Sequence, residues 1–386
     1  MRRVALIYDA KLPYDLKVIS GIARYMHEGR EFITYIDENA LKNQKLPDLR
    51  SWGGDGIIAD FDDPGVAAAV LRTGLPVVGF GGGYGWYPRD SNIPYFFGNQ
   101  RMIGNMAAEH LLERGFRNFA YCGYVQTPTN LWSIERQLAF ATRVRKHGYP
   151  CYVYQPRHKT TQQWSSFLAS LGSWLLSLPK PVGVMGAHDR RAYHVLEACI
   201  AYHLRVPEEV AVIGVDNDEM LCQLCSPELS SVEQNAKLIG YEAAALLDRM
   251  MQGEKPTRHH IVVDPVEVIT RRSTESFAIE DRVVADAMIF LRSNAYKGIK
   301  VANVVKALAV SRSTLESRFK VSMGYTVHEV IRKIQLDHAR RMISETSLAV
   351  KEVAANTGFR SVQHMTSLFG KAFGQTPASY RRGLVR

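Results

Sequence analysis

Carboxylates, amides and flat aromatics stand directly after several short apolar runs in this sequence. Residues 4–8 lead to Tyr14 and Asp15, and residues 56–59 lead to Asp60. Residues 77–80 open into GGGYGW, 182–185 into GAHDRR with Asp189, and 210–215 into Asp216, Asn217 and Asp218. Residues 119–122 form a further run of this kind. Gathered in one place, such side chains accept from and donate to several hydroxyls. Tyr14, Trp86 or Trp132 can cover the apolar face of a ring. That chemistry suits a small neutral polyol better than a phosphate.

Other readings of these residues are simpler to exclude or to keep plain. The glycine run 81–83 is not followed by a helix with a GxGxxG or GKS pattern, so a nucleotide loop is not expected. Asp189 and Asp216 could act as catalytic carboxylates. With no nucleophile–base pair or cofactor motif beside them, hydrogen bonding is the simpler role, and an enzyme is not expected. Asp60, Asp62 and Asp63 read as a solvated turn or helix start rather than a metal site. Cys222 and Cys225 form a lone C-x-x-C without a second pair of zinc ligands. They read as small, partly buried residues, and neither metal nor cofactor is expected. Five irregularly spaced cysteines suit a reducing cytoplasm.

The elements that must position these residues alternate. Short apolar runs and helical stretches follow one another through residues 1–275, which argues for parallel-sheet α/β units. In such sheets ligands bind outside the carboxyl ends of the strands, where the polar residues stand. No apolar run approaches the roughly 18 residues of a membrane span, and MRRVALIYDA enters a strand-like run without a secretory leader.

The last quarter differs in charge. Residues 281–386 hold 18 Lys plus Arg and 7 Asp plus Glu, a net of +11, while residues 1–280 carry −1. A neutral part joined to a basic one suggests that the second meets a polyanion. Apolar residues at i, i+3, i+4 and i+7 recur as Val301, Val304, Val305, Leu308, as Val327, Val330, Ile331, Ile334, and as Val350, Val353, Ala354, Thr357. Each set marks an amphipathic helix. An internal repeat runs at a constant offset of 50: Ser311, Leu315, Phe319, Gly324 and Thr326 return as Ser361, Met365, Phe369, Gly374 and Thr376. Two helix-turn-helix units joined by a long helix are expected. Ser311 and Ser361 can cap the second helix of each unit. The N-terminal residues of such a helix face base edges. The candidates are Ser311, Arg312, Ser313, Glu316 and Ser317 in the first unit, and Arg360, Val362, Gln363, Thr366 and Ser367 in the second. Arg312 suits either a base or a phosphate, and Glu316 either cytosine or a surface ion pair.

KALAVSRSTLESRFKVSMGYTVHEVIRKIQLDHARRMI and VKEVAANTGFRSVQHMTSLFGKAFGQTPASYRR resemble the AraC-type DNA-binding domain over about residues 281–382. The resemblance implies two recognition helices on one face of double-stranded DNA. Ser313 and Ser317 are smaller than the side chains many relatives carry there, so readout by the first helix is expected to be lighter. FGNQRMIGNMAAEHLLERGFRNFAYCG, VAVIGVDNDE, LSSVEQNAKLIGYEAAALLDRMMQG and DPVEVITRRST resemble the LacI-type and periplasmic sugar-binding fold over about residues 3–275. That resemblance makes Arg136 the sugar-contacting arginine and Asp189 and Asp216 the hydroxyl-binding acids. Tyr14, Asp15, Trp132 and Asn217 complete the expected ligand set.

A sensor of the first kind followed by a reader of the second resembles the family of xylose-responsive regulators, which shares DGIIADFDD, Tyr14-Asp15 and GIKV. The expectation is a two-lobed α/β sugar-binding sensor at 1–275, a linker at 276–282 and an all-α reader with two helix-turn-helix units at 283–386. D-xylose is the implied effector. Activation is the expected sign, which would involve RNA polymerase; repression, constitutive DNA binding and another sugar stay open. A homodimer joined through the sensor, with the helix after Asn99 at its interface, would suit direct repeats.

Overall fold

The structure, a computed structural model, describes residues 1–28, 32–36, 52–62, 64–82, 92–125, 127, 130–156, 164–275, 281–346 and 348–384. Trp86, Gly83, Asp63 and most of the expected linker lie outside these residues.

The chain forms two compact units, Met1–Leu111 with Arg117–Ser276, and Leu112–Phe116 with Phe277–Arg386. In the first, β1 (Arg2–Ile7), α1 (Pro13–His27), β2 (Phe32–Ile36), β3 (Gly56–Asp60), α2 (Pro64–Leu71), β4 (Val77–Phe80) and β5 (Tyr95–Gly98) build one lobe. Then α3 (Gln100–Leu112), β6 (Asn118–Cys122), α4 (Leu131–Lys146), β7 (Cys151–Tyr154), α5 (Trp164–Ser177), β8 (Val182–Gly186), α6 (Asp189–Ala201), β9 (Val210–Val215), α7 (Glu219–Leu224) and β10 (Ser230–Val232) build the other. The chain returns to the first lobe for α8 (Ala236–Met251) and β11 (His260–Val263), then crosses back to β12 (Val268–Ile269) and a 3-10 turn (Arg272–Thr274). The sheet orders are β11-β5-β4-β3-β1-β2 and β12-β10-β9-β8-β6-β7. All pairs are parallel except β10 with β12.

Central strands such as VAVIGV of β9 are buried at every position, as strands covered by helices on both faces must be. The chain crosses between lobes three times, and the crossings are tied together. Asn99 Nδ2 donates to Asp264 Oδ1 at 2.8 Å, and Asn235 Nδ2 donates to the Asp264 carbonyl at 3.4 Å.

Helices α1 and α8 pack backbone against backbone in the first lobe. A Cβ on Gly21 would lie 1.9 Å from the Lys237 carbonyl oxygen, and one on Gly240 1.8 Å from that of Val18. In an open helix Gly→Ala stabilises by about 0.5–1 kcal/mol. Here the sign reverses: Gly240→Ala is expected to destabilise the sensor by about 1–3 kcal/mol through overpacking. Chemical denaturation of the ligand-free protein measures it; an unchanged or raised midpoint would show that the helices part freely.

The second unit is helical: α9 (Arg282–Asn294), a 3-10 turn (Ala295–Lys297), α10 (Val301–Leu308), α11 (Arg312–Met323), α12 (Val327–Glu345), α13 (Val350–Asn356), α14 (Val362–Phe373) and α15 (Pro377–Leu384). It holds two separate apolar cores. One gathers Val284, Leu291, Val304, Leu315, Phe319, Val327 and Ile331. The other gathers Ala339, Ile343, Val353, Ala354, Met365 and Phe369. The long helix α12 gives its first half to one core and its second half to the other. The expected periodic residues fall on α10, α12 and α13, while α9 completes the first core without having been marked by that pattern. Among the described residues no helix is long and apolar enough to cross a membrane.

Candidate ligand cleft and nucleic-acid interface

The carboxyl ends of both sheets open onto one cleft. Leu12, Pro13, Tyr14, Asp15, Asp62 and Gly82 line it from the first lobe, and Trp132, Arg136, His188, Asp189, Arg190, Asp216, Asp218 and Leu221 from the second. Gln100 and Gln234 line it from the crossing segments. Six of the seven expected ligand residues therefore meet here. Asn217 is not among the lining residues. Its Nδ2 donates to Glu233 Oε2 at 3.0 Å, and its Oδ1 accepts from Arg271 at 2.7 Å, so its side chain serves the loop rather than the cleft.

Arg136 is 2% exposed. Its Nε and Nη2 donate to Gln100 Oε1 at 3.0 and 2.6 Å, and Nη1 donates to the Ala187 carbonyl. The guanidinium lies 4.8 Å from the centre of the Trp132 ring, a cation–π geometry. Burial lowers its pKa, opposed by the charges of Asp216 and Asp189. Asp216 accepts from Gln234 Nε2 and has φ +104, a conformation an L residue keeps only when its surroundings impose it. Burial pushes its carboxyl up to about 6, against the lowering effect of Arg136 and Gln234.

Asp189 lines the cleft but is largely satisfied by the protein. Ser231 donates to it at 2.6 Å, the Asp218 amide at 2.8 Å and the Cys222 thiol at 3.6 Å. Cys222 is thereby a buried thiol against a carboxylate, and burial drives its pKa upward. The neighbouring His188 carries no sequence signal of its own, standing one residue before Asp189. It lines the cleft, caps α6 and is hydrogen-bonded to Tyr124. Burial, then Arg191 and Arg136, lower its pKa well below the ordinary range, so the ring is neutral. For Gln100 and Gln234 the only signal is their place beside the chain crossings. The Tyr14 hydroxyl is buried and has no partner among the described residues.

The acidic cluster stands just before α2, as the helix-start reading expects, but its first member, Asp60, ends β3 and is buried rather than solvated. Asp60 is 3% exposed and Asp15 1%. Their carboxyls are hydrogen-bonded to one another, and Asp15 also accepts from the Asp9 amide at 2.8 Å. Burial, then the neighbouring Asp62 and Asp9 charges, push Asp15 up to about 8, and burial raises Asp60 also. The folded chain therefore keeps a proton that the unfolded chain loses near pH 4, and it loses stability as pH rises from there through about 8. Calorimetry of the ligand-free protein is expected to show melting falling between pH 5.5 and 8.5, with a shallower fall in Asp15→Asn. Equal slopes would show that the pair does not hold the proton.

In the second unit, Ser311 and Ser361 cap their helices as expected, accepting from the Thr314 and His364 amides at 3.1 and 3.2 Å. Leu315, Phe319, Met365 and Phe369 face the cores. Arg312, Ser313, Ser317, Arg360, Gln363 and Ser367 are exposed, and Glu316, Val362 and Thr366 half-buried, along the starts of α11 and α14. Thr314 and His364, also exposed there, join these faces. The Ser311 hydroxyl is engaged by its cap and by Ser313 and Thr314, which leaves it least free of the set.

Comparison with known proteins gives three domain families in this order: an XylR N-terminal domain at residues 3–100, a periplasmic binding protein-like domain at 108–274 and a helix-turn-helix domain at 304–383. The chain is 36% identical over 380 residues to the xylose operon regulatory protein of Escherichia coli K12, covering 98% of this chain and 96% of that one. It is 35% identical to the protein of the same name from Haemophilus influenzae, over 98% of each. A solved xylose-binding transcription activator aligns with 99% of this chain and 98% of its own at a TM-score of 0.64 and 36% identity. The likeness runs over nearly the whole of both chains, and the chain belongs to the family of xylose operon regulatory proteins.

Proposed function

We propose that this protein is a cytoplasmic, D-xylose-dependent transcription activator of pentose catabolism genes. The observation that carries the reading is the two-walled cleft. One wall offers the Tyr14 hydroxyl, without a partner among the described residues, and the Asp15 pair; the other offers Arg136, neutral His188 and Asp216 beside the flat Trp132 ring. These groups match the hydroxyls and one apolar face of a small pentose. The sugar stabilises the closed form of the lobes by its higher affinity for it, and this shifts the population able to bind DNA. A coupling of about 1–3 kcal/mol is typical of such linkage. Gln100 and Gln234, on two of the crossings, hold Arg136 and Asp216, so a ligand that pulls on those residues acts on the hinge.

The reader engages double-stranded DNA through the starts of α11 and α14. A homodimer joined through the sensor, with α3 as its contact, suits direct repeats and brings RNA polymerase within reach.

Tryptophan fluorescence tests the reading. Trp132 lines the cleft, so D-xylose is expected to give a saturable change that Trp132→Phe removes, while L-arabinose, D-ribose and D-glucose give none. Selective saturation by another sugar would overturn xylose as the effector. Silence across the panel, confirmed by calorimetry, would overturn the sensor reading itself.

A further inference from the structure

The two helix-turn-helix units have separate apolar cores, so something else must fix the angle between their reading helices. Helix α12 passes from one core to the other, and Gln335 lies at the change-over, 6% exposed. Its Nε2 donates to the Ala295 carbonyl at 3.0 Å and to the Gly358 carbonyl at 3.2 Å. Ala295 begins the turn that leads into the first unit's α10. Gly358 closes α13 and leads into the reading helix α14 of the second. The same two turns touch directly. Gly298 and Gly358 both have left-handed φ, +74 and +79, and a Cβ on Gly358 would stand 2.6 Å from the Gly298 nitrogen and 2.8 Å from Gln335 Nε2. The neighbouring Tyr296 and His338 rings, 5.5 Å apart, meet on the same seam.

We propose that Gln335 and the Gly298–Gly358 contact form a polar clamp that sets the spacing between the two reading helices, making Gln335 a positioning residue for operator geometry. Ala295 is buried and Gly358 half-buried, and no apolar side chain there can replace the two donated bonds. Without them α12 is joined across the seam by the Gly298–Gly358 contact and the Tyr296–His338 rings, neither of which bridges the two carbonyls. A single helix constrains their separation well and their relative rotation poorly. One extra base pair moves a second DNA segment by about 3.4 Å and turns it by about 35°. A clamped pair cannot follow that change, whereas a loosened pair follows part of it.

The proposal rests on both units engaging DNA, and the experiment separates the two claims. The full-length wild-type protein, saturated with D-xylose, selects a duplex from a randomised library. Affinity is then measured for that duplex and for versions with one base pair inserted between the segments covered by the two units. Wild type is expected to lose at least about tenfold on insertion, since linked modules lose their joint binding when geometry forbids simultaneous contact. Gln335→Met is expected to lose less than about threefold on the same insertion, with weaker binding to the selected duplex. Gln335→Lys, which keeps a donor, is expected to retain the wild-type penalty. A wild type indifferent to insertion would overturn two-unit engagement. With the wild-type penalty present, an equal penalty in Gln335→Met would overturn the clamp. Should Gln335→Met melt the second helix-turn-helix unit, seen as lost hydrogen-exchange protection in α14, Gln335→Asn, one methylene too short to reach both carbonyls, carries the test: a reduced penalty supports the clamp and an undiminished one overturns it.

Discussion

Arg136→Met is expected to weaken D-xylose binding by about a hundredfold, because truncating one partner of a buried, hydrogen-bonded charge contact costs about 2–5 kcal/mol of affinity. The substitution leaves the apolar volume nearly filled. What it removes is the group that connects the parts of the cleft. Gln100 on the first crossing, the Ala187 carbonyl, the Trp132 ring and the charge of Asp216 all lose their common partner. Because Arg136 holds the Asp216 carboxyl down against burial, its loss also drives that carboxyl further up. The variant should therefore melt closer to wild type at pH 5 than at pH 7.5, where wild type keeps Asp216 ionised. Titration calorimetry reads the affinity and scanning calorimetry the stability. An affinity within about threefold of wild type would mean that Arg136 serves the hinge alone, since a charged group contacting the sugar contributes more than that.

The parts of this molecule legible in its sequence are those with a repeating pattern. The fivefold match between residues 311–326 and 361–376 placed both reading helices, because capping serine, core residues and terminal glycine recur in fixed order. Central strands such as β8 and β9 were legible because burial on both faces demands unbroken apolar runs. Six strands were not. β2, β7, β11 and β12 lie at sheet edges, where one side needs no partner and the apolar demand is weaker. β5 and β10 lie inside their sheets but beside crossings, and β10 carries Ser230 and Ser231, whose hydroxyls are spent on Thr274 and Asp189. Among the residues that line the cleft, residue type pointed to Asp216 and Trp132, and the family resemblance to Arg136. Residue type did not separate Asp189, which is engaged mainly within its own lobe, from His188 one residue earlier. It also could not show that Asp15 and Asp60, 45 residues apart in sequence, share a buried contact. Those facts depend on which strand ends the topology brings together.

Phe369→Ala is expected to abolish sequence-specific DNA binding while leaving the sugar titration unchanged. Phe369 is fully buried, with its ring 4.6 Å from Phe373 and 5.6 Å from Tyr380, centre to centre. Truncating such a residue costs about 3–5 kcal/mol. Among the described residues the core of the second helix-turn-helix unit gathers seven buried side chains, so this loss is large beside the 5–15 kcal/mol that holds an ordinary domain together, and α14 should lose its fixed seat. The start of α14 carries Gln363 and Thr366, so the reading face goes with it. A change confined to the reading face behaves differently. If Gln363 reads a base edge, Gln363→Ala costs about 1–3 kcal/mol and blurs one base preference; if it holds a phosphate, binding weakens across all sequences and loses salt dependence. Fluorescence anisotropy with a labelled operator, across a salt series, separates these outcomes. For Phe369→Ala the expected loss is at least about a hundredfold, as follows when one of two linked modules is removed. Retention of specific affinity within about fivefold would assign sequence reading to α11 alone and leave the second unit a supporting role.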